Sequence, residues 1–248
     1  MIYFIGAGPG AKDLITVRGM NLLKSASLVV YTGSLINPAL LDYCPKECKT
    51  VNSAAMTLDE IIAALTGAPG DSTVVRLHTG DPSLYGAICE QMDELDRLGF
   101  EYEVVPGVSA LTAAAAVLKA EYTLPGVSQT LIVSRMAGRT AVPEKESIRS
   151  LAAHRASMAL FLSVGMLASL CEELIRGGYP PATPAAVVYK ATWPEEEIIK
   201  ATLETLPQRA GHIGRTALVL VGDFMGDSPE RSRLYDPSFS HLFREATK

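Results

Sequence analysis

The sequence contains no apolar run approaching the roughly 18 residues that a membrane-spanning helix needs, so a helical membrane protein is not expected. It also lacks a basic excess: 22 Lys and Arg stand against 27 Asp and Glu, for a net charge of -5, which argues against nucleic acid or an anionic membrane as partner. Cysteine is scarce. Cys44 and Cys48 are too few for a zinc site and have no His pair nearby, so with Cys89 and Cys171 they read as free thiols of a reducing cytoplasm. The four histidines, His78, His154, His212 and His241, are scattered, and no metal site is expected. There is no Gly-x-Ser-x-Gly, no Ser/His/Asp order and no Walker loop, so hydrolysis and phosphoryl transfer lack support. The start, Met1-Ile-Tyr-Phe-Ile-Gly6, has no basic segment ahead of its apolar residues, so no signal peptide is expected and a cytoplasmic location is. Internal repeats and low-complexity segments are absent.

What is present is core. Hydrophobic residues make up 48% of 248 and charged residues 20%, enough for one large domain or two of ordinary size. Thr73 to His78 is an apolar, β-branched run that suits a buried strand, and Thr79-Gly80-Asp81-Pro82 breaks it. Asp81 and Pro82 suit the start of a helix, with Leu84, Ile88, Met92 and Leu95 recurring at helical spacing. Such a turn at the carboxyl end of a strand is a place where ligands bind; it also serves as an ordinary strand-to-helix connection, and the stretch alone leaves both open.

Strands and helices alternate through the first half. Ile2 to Ile5 predicts a strand, Asp13 to Ser25 a helix with Leu14, Val17, Met20 and Leu23 inward, Leu28 to Tyr31 and Lys49 to Asn52 strands, and Thr57 to Leu65 a helix with a Thr57/Glu60 capping box. Glu101 to Val105 predicts a strand and Leu111 to Leu118 a helix of small residues. The second half predicts strands at Gln129–Ser134, Met158–Ser163, Ala185–Tyr189, Glu196–Leu203 and Thr216–Val221, with helices at Glu144–His154, Val164–Gly177 and Leu206–Ala210, then a polar tail from Asp227 to Lys248. The fold class is α/β, with a mainly parallel sheet in the first half; the expected domains are 1–118 and 119–248.

Gly6-Ala-Gly-Pro-Gly-Ala11 fits the loose dinucleotide pattern, with Gly6, Gly8 and Ala11 in the glycine positions. Pro9 removes one N–H that a pyrophosphate would use, and the second strand ends in Thr32-Gly33 without the acidic residue expected for a ribose. A glycine loop for a ligand without phosphates fits better, although a tight turn alone, or a non-catalytic dinucleotide-binding regulatory domain, remains an alternative.

Six segments then occur in one order: Gly6-Ala-Gly-Pro-Gly10, Tyr31-Thr-Gly-Ser-Leu-Ile36, Thr79-Gly-Asp-Pro-Ser-Leu-Tyr-Gly86, Val105-Pro-Gly-Val-Ser109, Gly138-Arg-Thr-Ala-Val-Pro143 and Lys190-Ala-Thr-Trp-Pro-Glu195. Together they resemble the S-adenosylmethionine-dependent tetrapyrrole methyltransferases of cobalamin biosynthesis, over nearly the whole chain. Tyr31 to Ile36 and Asn52-Ser-Ala-Ala-Met-Thr57 place the resemblance nearest the members that methylate carbon 11 of precorrin-4 or its cobalt chelate. The resemblance implies two α/β domains with a cofactor cleft between them, S-adenosyl-L-methionine as cofactor with S-adenosyl-L-homocysteine as product, a tetrapyrrole as substrate and a homodimer.

Carried over residue by residue, it implies cofactor contacts from Pro9, from Thr79, Gly80, Asp81 and Leu84, from Ser109 and Ala110, and from Ser163, Val164, Ala191 and Ala217. For a macrocycle rimmed with carboxylates, Arg76, His78, Arg135, Arg139 and Lys190 are the candidate contacts, because Arg pairs bidentately with carboxylates. Arg139, inside Gly-Arg-Thr-x-Val-Pro, leads them, and Tyr85 is a candidate for stacking. Relatives that methylate uroporphyrinogen carry an acidic residue where this chain has Thr32, which puts that substrate, and another precorrin, behind precorrin-4. No residue is assigned as base.

Overall fold

The computed structural model describes residues 1–226, 232 and 235–247. The chain divides into two compact units, Met1–Ala113 with Lys190–Glu195, and Ala114–Tyr189 with Glu196–Lys248.

The first unit carries five parallel strands, β1 (Ile2–Gly6), β2 (Leu28–Tyr31), β3 (Lys49–Asn52), β4 (Val74–His78) and β5 (Tyr102–Val105), in the order β3-β2-β4-β1-β5. Strands buried on both faces must be apolar on both, which is why they read as near-continuous hydrophobic runs. Ile5, Val29, Val75 and Leu77 pack with Leu23 of helix α1 (Val17–Lys24) and with Leu40 on one face. Phe4, Val30 and Val74 pack with Ile61 and Leu65 of α2 (Leu58–Thr66) and Leu95 of α3 (Cys89–Arg97) on the other. Helix α2 starts at the expected capping box: Thr57 accepts from Glu60 N and the Glu60 carboxylate accepts from Thr57 N. Helix α1 is shorter than expected. Thr16 caps it, a 3-10 turn at Lys12–Leu14 precedes it, and Val17, expected inward, is 72% exposed.

The central helix also begins later than the sequence spacing predicts. Residues 82–85 are turn and 86–88 irregular, with Tyr85 and Ala87 at φ of 58° and 49°, and α3 starts only at Cys89. The turn is braced from below. Arg76 Nε donates to Gln91 Oε1 at 2.9 Å, and Gln91 Nε2 donates to Ala87 O at 2.8 Å. A side-chain relay thus holds a carbonyl that a helix would have satisfied by itself. Asp81 therefore caps no helix; its carboxylate accepts from Ser83 N two residues on, at 2.9 Å.

Helix α4 (Ala110–Leu118) leads into the second unit. There β6 (Leu131–Arg135), β7 (Ser157–Phe161), β8 (Pro184–Tyr189), β9 (Glu197–Thr202) and β10 (Ala217–Val221) form a mixed sheet ordered β6-β7-β10-β8-β9. Only β6 and β7 are parallel. Helices α5 (Ile148–Ala152), α6 (Leu167–Gly177) and α7 (Leu206–Ala210) cover one core of Met158, Leu160, Leu170, Leu174, Val187 and Val219. Helix α5 occupies only the middle of the expected Glu144–His154 span, because Ser147 caps it and a separate 3-10 turn takes Glu144–Glu146. Of the expected polar tail, residues 227–231, 233, 234 and 248 lie outside the described residues; 235–247 is turn-rich, with a bridge between His241 and Arg244. No helix among the described residues is long and apolar enough to cross a membrane. Cys44 and Cys48 are half-buried free thiols, and burial, with Cys48 as neighbour, pushes Cys44 up to about 12.

Candidate active site

The carboxyl ends of β1, β4 and β5 bring three glycine loops together. Ala7 N donates to His78 O at 2.7 Å, and Gly8 and Gly80 exchange backbone hydrogen bonds at 3.2 and 2.9 Å, so the first loop is stitched to the β4 turn. Behind them the backbones touch: a Cβ on Gly107 would lie 2.1 Å from Gly80 O and 2.7 Å from Gly6 Cα. Asp81 closes the arrangement, since its Oδ2 accepts from Gly107 N at 2.8 Å while Oδ1 accepts from Ser83. Burial pushes the Asp81 carboxyl up, but the hydrogen bonds from Ser83 and Gly107 outweigh it and hold it below its ordinary value. Gly80, at φ of 62°, aims its missing Cβ at Ala110 N and Ser109 Cα, 3.5 and 3.7 Å away, in ordinary contact rather than collision. Gly80, Asp81, Ser109 and Ala110 thus meet at one place, with Leu84 half-buried in the adjoining turn. Thr79 ties this place to the β2 loop: its hydroxyl lies 3.2 Å from that of Thr32 and donates to Leu35 O at 3.3 Å.

The segment Lys190–Glu195 belongs to this unit and packs on the first loop. Trp193 Nε1 donates to Pro9 O at 2.8 Å, and Ala11 N donates to Thr192 Oγ1 at 3.0 Å. From the other side Asn37 Nδ2 donates to Gly10 O at 2.8 Å. Ala191 is 8% exposed, beside Gly10. Lys190 reaches Glu195 at 3.6 Å and lies 4.8 Å from the Trp193 ring centre, so its cation supports the strap itself. The sequence reading missed Trp193 and Asn37 as site residues. The signal was the chain's single tryptophan, set inside a segment already singled out.

Two candidates for substrate contact lie in the interior instead. Arg76 is 4% exposed and donates to Gln91, Ser53 Oγ and Val30 O; burial pushes it down to about 10. His78 is 2% exposed and stacks on Phe4, and its Nε2 has no hydrogen-bond partner among the described residues. Burial, with the Arg76 charge adding, pushes it down to about 3, so it is neutral. Both alternate onto the sheet face covered by α2 and α3, which the period of a strand dictates for residues two apart. Tyr85, by contrast, is 44% exposed on the turn.

In the second unit the strand register puts Arg135, Phe161, Tyr189 and Ala217 at one edge of the sheet. Ser163 is wholly buried there; its hydroxyl accepts from Met136 N at 2.8 Å and donates to Phe161 O at 2.7 Å, clipping the β6 loop to the end of β7. Val164 is buried beside it. Arg135 folds back on its own loop and donates to Thr140 O and Ala141 O at 3.2 and 2.8 Å, whereas Arg139 is exposed at the tip of that loop.

The family model for Tetrapyrrole (Corrin/Porphyrin) Methylases matches residues 1–207. The chain belongs to the tetrapyrrole methylases. It is 47% identical, over its whole length and 97% of the relative's, to a cobalt-precorrin-4 C(11)-methyltransferase of Methanocaldococcus jannaschii. It is 46% identical, over 98% of each chain, to a precorrin-4 C(11)-methyltransferase of Pseudomonas aeruginosa. Among solved structures, a cobalt precorrin-4 methyltransferase of cobalamin biosynthesis matches with a TM-score of 0.88 at 43% identity, covering 91% of this chain and 96% of that one.

The backbone of this tetrapyrrole methylase also decides against a dinucleotide. The amides of Ala7, Gly8 and Ala11 are all engaged within the protein, and Pro9 has none. A pyrophosphate at a Gly-rich loop needs several free N–H groups, and in this loop only the Gly10 amide is not engaged among the described residues. A cofactor without phosphates asks less of the loop. At Gly80 an added Cβ would only reach ordinary contact with Ala110 N and Ser109 Cα, so the turn brings Ser109 and Ala110 close without crowding them.

Proposed function

We propose that this chain transfers the methyl group of S-adenosyl-L-methionine to carbon 11 of precorrin-4, free or cobalt-chelated, to give the corresponding precorrin-5. The carrying observation is the full-length match, at 46 and 47% identity, to relatives named for that reaction. Pro9, Thr79, Gly80, Asp81, Leu84, Ser109, Ala110 and Ala191 of the first unit would hold the cofactor, together with Ser163, Val164 and Ala217 of the second. When bound, the cofactor supplies a methyl group already activated on a sulfonium.

The protein's part is then to align and to keep water out. The glycine loops do this with backbone that is already hydrogen-bonded, so little reorganises during the reaction. The interior Arg76 and His78 act as scaffold under the site, and Arg135 shapes the loop that presents Arg139. Arg139 is the candidate contact for the carboxylates of the macrocycle. Thr32, at the end of β2 and within reach of Thr79, leaves that loop without an acidic side chain, which favours an already methylated ring over uroporphyrinogen. A homodimer in the cytoplasm completes the reading; light scattering that gave a monomer at micromolar concentration would reject the dimer.

The substrate is tested by incubation with precorrin-4, its cobalt chelate and uroporphyrinogen, using a donor carrying a carbon-13 methyl group. A new carbon-13 signal at carbon 11 of a precorrin-4 substrate is expected. Methylation of uroporphyrinogen alone would reject the proposal.

A further inference from the structure

We propose that Trp193 is a positioning residue for methyl transfer: its indole N–H, bonded to Pro9 O, holds the Gly8–Ala11 loop in the shape that receives the cofactor. This inference rests on the cofactor reading of the loop.

A loop of glycines has more conformational freedom to lose than any other, so something must fix Gly8-Pro-Gly-Ala11. Three side chains do so, each on a different backbone group. Trp193 takes Pro9 O at 2.8 Å, Asn37 takes Gly10 O at 2.8 Å and Thr192 takes the Ala11 N–H at 3.0 Å. Pro9 is buried, so without the indole its carbonyl would lose its donor where water does not readily replace it. The fit is close enough to set residue identity: a Cβ on Gly10 would lie 2.0 Å from Trp193 Cδ1. The strap is itself held under strain, with Lys190 and Thr192 at φ of 46° and 70°. Such strain persists where the surroundings over-determine it.

Trp193 is not among the residues of the two cores described above for this unit. Its removal should therefore disturb the loop rather than the fold, which separates a positioning role from a structural one. Trp193→Phe keeps an aromatic ring beside Lys190 and removes the N–H; Trp193→Ala removes both.

The experiment is a calorimetric titration of the parent and both variants with S-adenosylhomocysteine, with melting curves and steady-state kinetics alongside. For Trp193→Phe the expected result is a roughly five- to tenfold rise in Kd, the worth of one hydrogen bond to a buried acceptor. KM for S-adenosylmethionine should rise in step, and by a larger factor than kcat falls, because the loop acts first on how the cofactor is received. Trp193→Ala should move in the same direction and further. A Kd and KM for Trp193→Phe equal to the parent's, whatever its melting temperature, would overturn the proposal. Failure of the parent itself to bind S-adenosylhomocysteine would overturn the cofactor reading and this inference with it, and is visible before any variant is compared.

Discussion

The two units solve the same problem, holding loops at the end of a sheet, by different means. In the first, the edge is backbone against backbone: Gly6, Gly80 and Gly107 touch directly, and Gly8 and Gly80 pair like strands. In the second, the edge is held by side chains. Ser163 clips one loop to another, and Arg135 ties its own loop in two places. Backbone contact leaves no room for a Cβ and so shows in the sequence as glycine. Side-chain clips can be built from many residues and leave almost no mark there.

The sharpest way to break this contrast is Gly107→Ala. Its Cβ would meet Gly80 O at 2.1 Å, backbone that cannot swing away. A loss of about 3 kcal/mol is expected, or a melting temperature lower by roughly 10 °C. A shift of only a degree or two would mean that the glycine contact is not a constraint.

Acid should act on the first unit through His78. Its proton-binding is pushed from an ordinary 6.5 to about 3, so below pH 6.5 the unfolded chain binds the proton and the folded one does not. Stability from this group is therefore whole at neutral pH and is lost as pH falls, by about 2 kcal/mol between pH 7 and pH 5. Asp81 adds in the same direction at lower pH, because its carboxyl is held below its ordinary value and its contribution goes as it is protonated. Denaturant titrations at pH 5 and pH 7 of the parent and of His78→Leu check this: the variant should lose most of the dependence, and an unchanged dependence would place it elsewhere.

Ser163→Ala sharpens the comparison from the other side. It leaves the Met136 N–H without its acceptor, at an expected cost of about 1–2 kcal/mol and with no clash. Urea unfolding that showed a loss as large as that of Gly107→Ala would erase the distinction between the two edges. Arg139→Ala should be smallest in stability, within about 0.5 kcal/mol because the residue is exposed. It should nonetheless weaken the tetrapyrrole more than the cofactor, seen as a raised KM for the first with little change for the second.

Much of this was legible in the sequence, for reasons that the same contrast explains. The strands of the first unit, the Thr57/Glu60 capping box and the three glycine loops were all read from local pattern, because each depends on residues close in the chain. The start of α3 was not. Asp81-Pro82 carries good helix-start chemistry, but residues 82–88 stay non-helical, with the relay from Arg76 through Gln91 to Ala87 O joining three separate stretches across them. Arg76 itself was misplaced for a simpler reason. A charge inside a run read as a buried strand had to be buried and paired, and that expectation outranks the attraction of an arginine near a binding loop. The roles of Trp193 and Asn37 were hidden because their partners, Pro9 and Gly10, are 184 and 27 residues away.

Gly80→Leu tests most directly the proposal that the glycine edge of the first unit receives the cofactor. The new Cβ would lie 3.5 Å from Ala110 N, 3.7 Å from Ser109 Cα and 3.9 Å from Val108 O, in ordinary contact, at a strain of about 1 kcal/mol for φ of 62°. Calorimetric titration with S-adenosylhomocysteine, on protein whose circular dichroism matches the parent's, should show binding weakened by more than about tenfold, the equivalent of 1.4 kcal/mol. Binding equal to the parent's, with the fold intact, would contradict it.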